Sequence, residues 1–404
     1  MRFLLAALLF AAVLPAGAQQ DAENARRTIA AVEKLLQQRP ADATLWFFLA
    51  RSHARLGEAP ACVAALEKVH ELGDGFLPPR GDFARVWDDA AFQAVRRKLE
   101  AKLPTLDYAP TAFEIDDREL MPEGIAYDAP SRSFFIGSAH RRILRLGAEP
   151  GAATEFASAG AGLDAVLGLA VDAPRRILYA VSTSALTTEG RKSRRNAVVA
   201  FDIDSRKLLH RHDVPGAVQL NDVAVAMGGR VFATDSASGA VYEIAVRGPG
   251  PARQVLAPAQ LGGSNGIAAS PGGDRLYVAH STGLAVIDVA DGSVKRIENR
   301  TRETVAAIDG LYQWQGQLIG VQNVTTPGRV ILMTLSPDGS SVTRVTTMLS
   351  HHHNALDEPT TGAIAGDNFY LLAATGISRF NSEGRIDNPE TAPTPRVVRI
   401  PLPR

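Results

Sequence analysis

The hydrophobic pattern of the chain changes period once. From Asp21 to about Leu103, apolar residues recur at helical spacing: Ala30, Val32, Leu35 and Leu36 share a face, and Pro40 closes that segment. The stretch "WDDAAFQAVRRKLEAKL" adds a further amphipathic helix. From about Asp107 to the C-terminus, short alternating apolar runs are punctuated by Gly, Asp, Ser and Pro turns, which is all-β sequence with no long helix. The pattern therefore predicts a small helical domain over residues 19–105 and a β domain over residues 106–404.

The β half repeats itself. Each copy is a small-residue turn, a short apolar strand, a Pro/Gly/Asp turn and a second apolar strand. The copies are "PEGIAYDAPSRSFFIGSAH", "LGLAVDAPRRILYAVSTS", "LNDVAVAMGGRVFATDSAS", "SNGIAASPGGDRLYVAHSTG", "IDGLYQWQGQLIGVQN" and "TGAIAGDNFYLLAATG". Their spacing, about 44 to 53 residues, is that of a propeller blade of four strands, and further strand-like segments follow each copy. The fold expected is a six-bladed β-propeller preceded by a small α-helical domain.

The first strand of a propeller blade lines the central channel. The residues before the Gly-apolar step are Glu123, Leu167, Asn221, Asn265, Asp309 and Thr361, with Asp222 in place of the usual Gly in the third copy. Each of these residue types is at home in a turn before a strand, Glu least so. As one column, Glu123, Asn221, Asn265 and Asp309 form an oxygen set suited to Ca2+ or another divalent cation, and the His and Cys that zinc prefers are missing from it. A second polar set closes the second strands, fourteen or fifteen positions later: Ser138, Ser182, Asp235, His280, Asn323 and Thr375. Antiparallel return places these near the first set, so a polar mouth around the metal is expected. His280 and Asp235, in this second set, are candidate catalytic residues.

Charge and composition narrow the function class. The 404 residues carry no net formal charge, which argues against a general nucleic-acid binder. Arg2, the apolar run Phe3 to Val13 and Ala16-Gly17-Ala18 read as a cleavable secretory signal over residues 1–18, cut after Ala18. A periplasmic or secreted protein without a membrane span is expected. The one cysteine, Cys62, has apolar neighbours and reads as a core residue. "HHHN", His351 to Asn354, reads as a loop before the sixth copy, either solvated or lying over the channel mouth, and "EGRKSRRNA" as a basic hairpin tip. No G-x-S-x-G elbow, P-loop or dinucleotide fingerprint is present.

Two resemblances follow. "ADATLWFFLARSHARLGEAPACVAALEKVHEL" resembles a single tetratricopeptide repeat, with Trp46, Leu49, Ala50, Gly57, Cys62 and Leu66 at its packing positions. It implies either a cap or a surface for a protein partner. "PEGIAYD", "LNDVAVA", "SNGIAASPGGDRLYVA" and "IDGLYQWQGQLIGVQN", in order, resemble the SMP-30/gluconolactonase family, and more distantly diisopropylfluorophosphatase and the paraoxonases, over roughly residues 110 to 400. That resemblance implies a channel calcium on Glu123, Asn221, Asn265 and Asp309, hydrolysis of a small lactone or ester, and a base or nucleophile role for Asp309. Leu167 stands where the paraoxonases have a channel His, so their His dyad is not implied. The expectation is a calcium-dependent hydrolase. Its rival is a non-enzymatic, metal-stabilised propeller scaffold that binds a protein partner through the helical repeat or the propeller face.

Overall fold

The computed structural model describes residues 16–147, 153–246, 251–258 and 260–403, so most of the expected signal segment lies outside the described residues. The chain divides into two compact units, one of residues up to Gly73 with Pro78–Ala101, the other of Asp74–Leu77 with Lys102–Arg404. Among the described residues, no helix is long and apolar enough to cross a membrane.

The first unit contains the helices Ala16–Gln38, Ala43–Leu56, Ala59–Leu72 and Ala90–Glu100. Asp42 caps the second, its carboxylate accepting from the backbone N–H of Thr44 at 3.0 Å and Leu45 at 3.2 Å, and Gly57 ends it in the left-handed conformation (φ 77°). Asp89 caps the last helix through Phe92 N–H at 2.8 Å. Phe47, Phe83 and Phe92 stack in its interior, beside buried Leu49, Ala50 and Leu66. Trp46 is half-buried instead, its indole N–H donating to Pro40 O at 2.8 Å. Cys62 is fully buried, and burial, helped by Asp89, pushes its thiol up to about 12, out of reach of thiolate chemistry.

The second unit is mainly β. Four four-stranded antiparallel sheets and one eight-stranded sheet make it up. The eight-stranded sheet is two antiparallel four-strand runs, starting at Ile267 and Ile308, joined only by the parallel pairs Glu298–Ser341 and Asn299–Val342. The first sheet contains Pro122–Asp128, Ser133–Ser138, Arg142–Gly147 and Thr154–Ala157, in sequence order. The sheets starting at Ala165 and Leu220 repeat this order. The last sheet combines Gly362–Ala365, Asn368–Ala374 and Arg396–Pro401 with Thr111–Glu114 from the start of the unit. Both ends of the β sequence are therefore tied into one sheet.

An apolar cluster fills the space between each consecutive pair of runs. Phe135 and Ile143 of the first meet Leu178 and Val199 of the second, and the series ends with Leu372 and Val397 of the last packing on Ile125 and Phe134 of the first. Inner strands of the sheets are thus buried on both faces, which is why "SFFIGS" and "ILYAVST" lack a polar face. The segment Asp74–Leu77 is part of this unit: Asp74 N–H donates to Arg302 O and Leu77 N–H to Thr325 O.

Candidate functional site

The innermost strands share one irregularity. Pro122 pairs with Ser138 and Ile125 with Ile136, so three steps on one strand match two on its partner. The same slip occurs between Val166 and Leu169, Leu220 and Val223, and Ile308 and Leu311. A bulge of this kind re-aims the unpaired side chains. The residues it releases are Glu123, Leu167, Asn221 and Asp309, each with its successor. Asn265 and Thr361 occupy the equivalent places just before the strands Ile267–Ala269 and Gly362–Ala365.

In five of the six strands the successor is a glycine, with neighbouring atoms too close for a side chain; in the third it is Asp222. A Cβ on Gly124 would lie 1.9 Å from Leu167 O, and one on Gly266 2.5 Å from Asp309 O. Side chains stitch the remaining steps: Thr234 Oγ1 donates to Asn265 O at 2.7 Å, and Thr361 Oγ1 to Glu123 O at 2.6 Å. The last bond joins the sixth innermost strand to the first. Residues of all six line a single cavity of about 470 Å³.

Glu123, Asn265 and Asp309 converge in this ring. Asn265 Nδ2 donates to Asp309 Oδ1 at 2.8 Å, and Asn323 Nδ2 holds the other carboxylate oxygen at 2.7 Å. Glu123 Oε2 and Asn265 Oδ1 are buried with no hydrogen-bond partner. Two unsatisfied oxygens in one buried place are costly, and a hard cation would satisfy both. Asn221 adjoins the third step and donates from Nδ2 to Ser236 Oγ at 3.3 Å.

The electrostatics point the same way. Burial raises the Glu123 carboxyl well above its ordinary range, and the neighbouring Asp309 and Asp222 raise it further. Burial lifts Asp309 to about 6 against the opposing pull of its two amide donors. Asp222, which the sequence marks only as a break in the glycine column, is a third buried carboxyl, lifted by burial to about 7. Its oxygens accept from Val223 N–H at 2.8 Å and Ile267 N–H at 3.2 Å. Tyr312 lies beside this group, its hydroxyl oxygen accepting from Gly362 N–H at 2.7 Å, and burial holds its phenol well above the usual value.

Of the second polar set, Asn323 reaches Asp309, while Ser138, Ser182, Asp235 and Thr375 bind backbone of their own runs. Asp235 is fully buried, and its carboxylate accepts from the backbone N–H groups of Val218 (2.6 Å), Gln219 (3.1 Å), Ala237 (3.1 Å) and Ser238 (3.0 Å). With its lone pairs so engaged it is a loop anchor rather than a base. Ser138 donates to Leu120 O, Ser182 accepts from Asp164 N–H at 2.9 Å, and Thr375 donates to Glu358 O at 2.6 Å. Each clamps the segment entering its own innermost strand. In the fifth run the clamp is Gln322, bonded to Thr304 O and Ala306 O. That frees Asn323, one residue on, to reach Asp309. His280 is buried, with Nδ1 accepting from Thr282 N–H at 3.3 Å and Nε2 facing Arg296 Nη1 at 3.4 Å, so these contacts orient it toward its own hairpin.

The histidine loop is tied down locally. His353 Nε2 lies 2.8 Å from Ala109 O, and His352 Nδ1 3.1 Å from Ser350 Oγ.

No family model and no curated protein matches the chain. Solved structures match in fold. The major allergen Mala s 1 of Malassezia sympodialis superposes with a TM-score of 0.56 at 14% identity, over 72% of this chain and 96% of that one. A gluconolactonase from Xanthomonas campestris gives 0.49 at 18% identity over 74% and 91%, and the PQQ-bound aldose sugar dehydrogenase of Streptomyces coelicolor 0.49 at 16% over 74% and 99%. The likeness to the Mala s 1 structure is one of fold alone.

Proposed function

We propose that the β unit is a closed six-bladed propeller whose channel holds a calcium ion on Glu123, Asn221, Asn265 and Asp309, and that it hydrolyses a small lactone or ester there. The observation that carries this reading is the pair of buried, unpartnered oxygens, Glu123 Oε2 and Asn265 Oδ1, beside the Asp309 carboxylate. A bound calcium would polarise the substrate's carbonyl oxygen and offset the charge that develops on it. Asp309, gripped by the amides of Asn265 and Asn323, keeps its carboxylate in one orientation, where it can take a proton from an attacking water. Leu167 contributes an apolar wall to the ring in place of a donor.

The leader-like residues 1–18 support a periplasmic or secreted setting. The helical unit, read as tetratricopeptide-like, supports the rival reading of a scaffold with a protein partner.

A panel of lactones and aryl esters, assayed with calcium and with chelator, tests the proposal. Calcium-dependent turnover that Asp309→Asn abolishes is expected. A calcium-induced rise in melting temperature with no turnover on any substrate would leave the scaffold.

A further inference from the structure

A cavity of about 650 Å³ in the β unit lies away from the channel wall and is absent from the catalytic reading above. It is lined by the turn at His140 and Arg141, by Asp164, by the connection 184–195 and by Phe380. The strands Ser133–Ser138 and Ile177–Thr183 run antiparallel to the innermost strands. The turns that follow them therefore lie at the end of the unit where the innermost strands begin, which is the end that carries Glu123. The turn is also bonded directly to the run entering Glu123: Ala139 N–H donates to Met121 O at 3.0 Å, and His140 Nδ1 lies 2.6 Å from Glu119 O.

The cavity is placed over a particular sector of the ring. Its walls come from the first, second and sixth runs. The second and sixth are the runs whose ring residues, Leu167 and Thr361, bring no carboxylate or amide. A substrate lying there would reach the ring beside Glu123, across the two runs that bring no candidate metal ligand.

The chemistry of the walls is specific. Phe380 packs on His140 with ring centroids 5.3 Å apart, and Leu186 adds apolar surface. Arg195 is neutralised by Asp164 in a two-pronged pair at 2.6 and 3.0 Å, and Glu189 by Lys192 at 2.7 Å. Arg141 is bonded through Nε to Leu163 O at 2.7 Å, a neutral acceptor, and has no carboxylate partner among the described residues. An aromatic wall beside an uncompensated guanidinium is a receptor for a ring or short chain that bears a carboxylate.

We infer that this cavity is the specificity subsite of the enzyme, and that it selects esters or lactones carrying a carboxylate remote from the bond that is cleaved, through Arg141 and the Phe380–His140 wall. The inference rests on the hydrolase reading for its substrate, but its binding claim stands apart from turnover. The calcium-loaded full chain should hydrolyse 3-carboxyphenyl acetate with a kcat/KM about tenfold above that of phenyl acetate, the scale of one charge-assisted hydrogen bond. Arg141→Gln should bring that ratio close to one, while Arg141→Lys keeps part of it. Benzoate, titrated calorimetrically, should bind the wild type and bind Arg141→Gln about tenfold more weakly. If Arg141→Gln does not fold, Phe380→Ala takes its place and should also weaken benzoate.

The outcomes separate the two readings. Benzoate binding that depends on Arg141, with no ester turned over, upholds the subsite and removes the hydrolase. Equal turnover of both esters by the wild type upholds the hydrolase and overturns the subsite. Benzoate affinity that neither variant changes, or no benzoate binding at all, also overturns it.

Discussion

Glu123 carries the largest consequence of any single residue. Its carboxyl is buried near Asp222 and Asp309, with Oε2 unpartnered, so in cation-free protein it is a source of repulsion and desolvation cost. Glu123→Gln should raise the melting temperature measured in chelator and abolish the increase that calcium gives the wild type. That increase corresponds to about 2.7 kcal/mol at a calcium concentration a hundredfold above Kd. An unchanged calcium response in the variant would remove Glu123 from the ligand set. The same group sets a pH dependence. Burial lifts Asp309 to about 6 and Asp222 to about 7, so between about pH 4 and pH 7 the folded chain holds protons that the unfolded chain has released. Stability in chelator should therefore fall as pH rises through that window. Calcium, which favours the ionised carboxylates, should flatten or reverse the trend in melting scans at pH 4.5, 6 and 7.5.

At the scale of elements, the repeated bulge is the device that builds the ring. In four innermost strands it displaces one residue from the ladder, and in three of these the glycine that follows allows the next strand to approach. The clamp at the end of the second strand then fixes the entering loop. Asp235 is the most heavily committed clamp, with four backbone N–H donors. Asp235→Ala leaves them buried and unpaired and should cost about 2–4 kcal/mol in chemical denaturation. Activity per folded molecule should persist, and its loss in well-folded variant would restore Asp235 as a catalytic candidate. The polar character of these strand ends was legible in the sequence, but their purpose was not. A polar residue at a strand end looks the same whether it faces a ligand or its own loop, and only the register separates Gln322, a clamp, from Asn323, which holds Asp309.

At the scale of the β unit, closure is achieved twice. Thr111–Glu114 pairs with Arg396–Pro401, and apolar clusters run between consecutive sheets from the first to the last and back to the first. A further lock lies at the segment Asp74–Leu77. Arg329 is only 2% exposed and bonds Glu303 at 2.8 Å, Gln322 Oε1 at 2.7 Å and Thr304 O at 3.2 Å, while Gly75 (φ 81°) lies so close that a Cβ there would meet the guanidinium at 2.3 Å. Asp74 adds ion pairs to Lys102 at 2.8 Å and Arg302 at 3.1 Å. Arg329→Ala opens this buried network and should cost about 3–5 kcal/mol. A loss below 1 kcal/mol by urea titration would show that the segment is not held by it. The division of the chain at residues 105 and 106 missed this segment, because four residues of extended chain between helices carry no periodicity of their own.

The sequence by itself determined the period: helices before Leu103, strands after Asp107, and a repeated strand pair with Glu123, Asn221, Asn265 and Asp309 in one column. These are local patterns, and period and spacing encode them directly. It also exposed Asp222 as an anomaly without saying that the side chain is a third buried carboxyl. Only the tertiary structure decided which polar groups are left without partners, which are spent on backbone, and which face a cavity. Those properties depend on what other runs bring within about 3 Å of an atom, the reach of a hydrogen bond. Contacts between residues some 240 positions apart, such as Thr361 with Glu123, leave no trace in either local sequence.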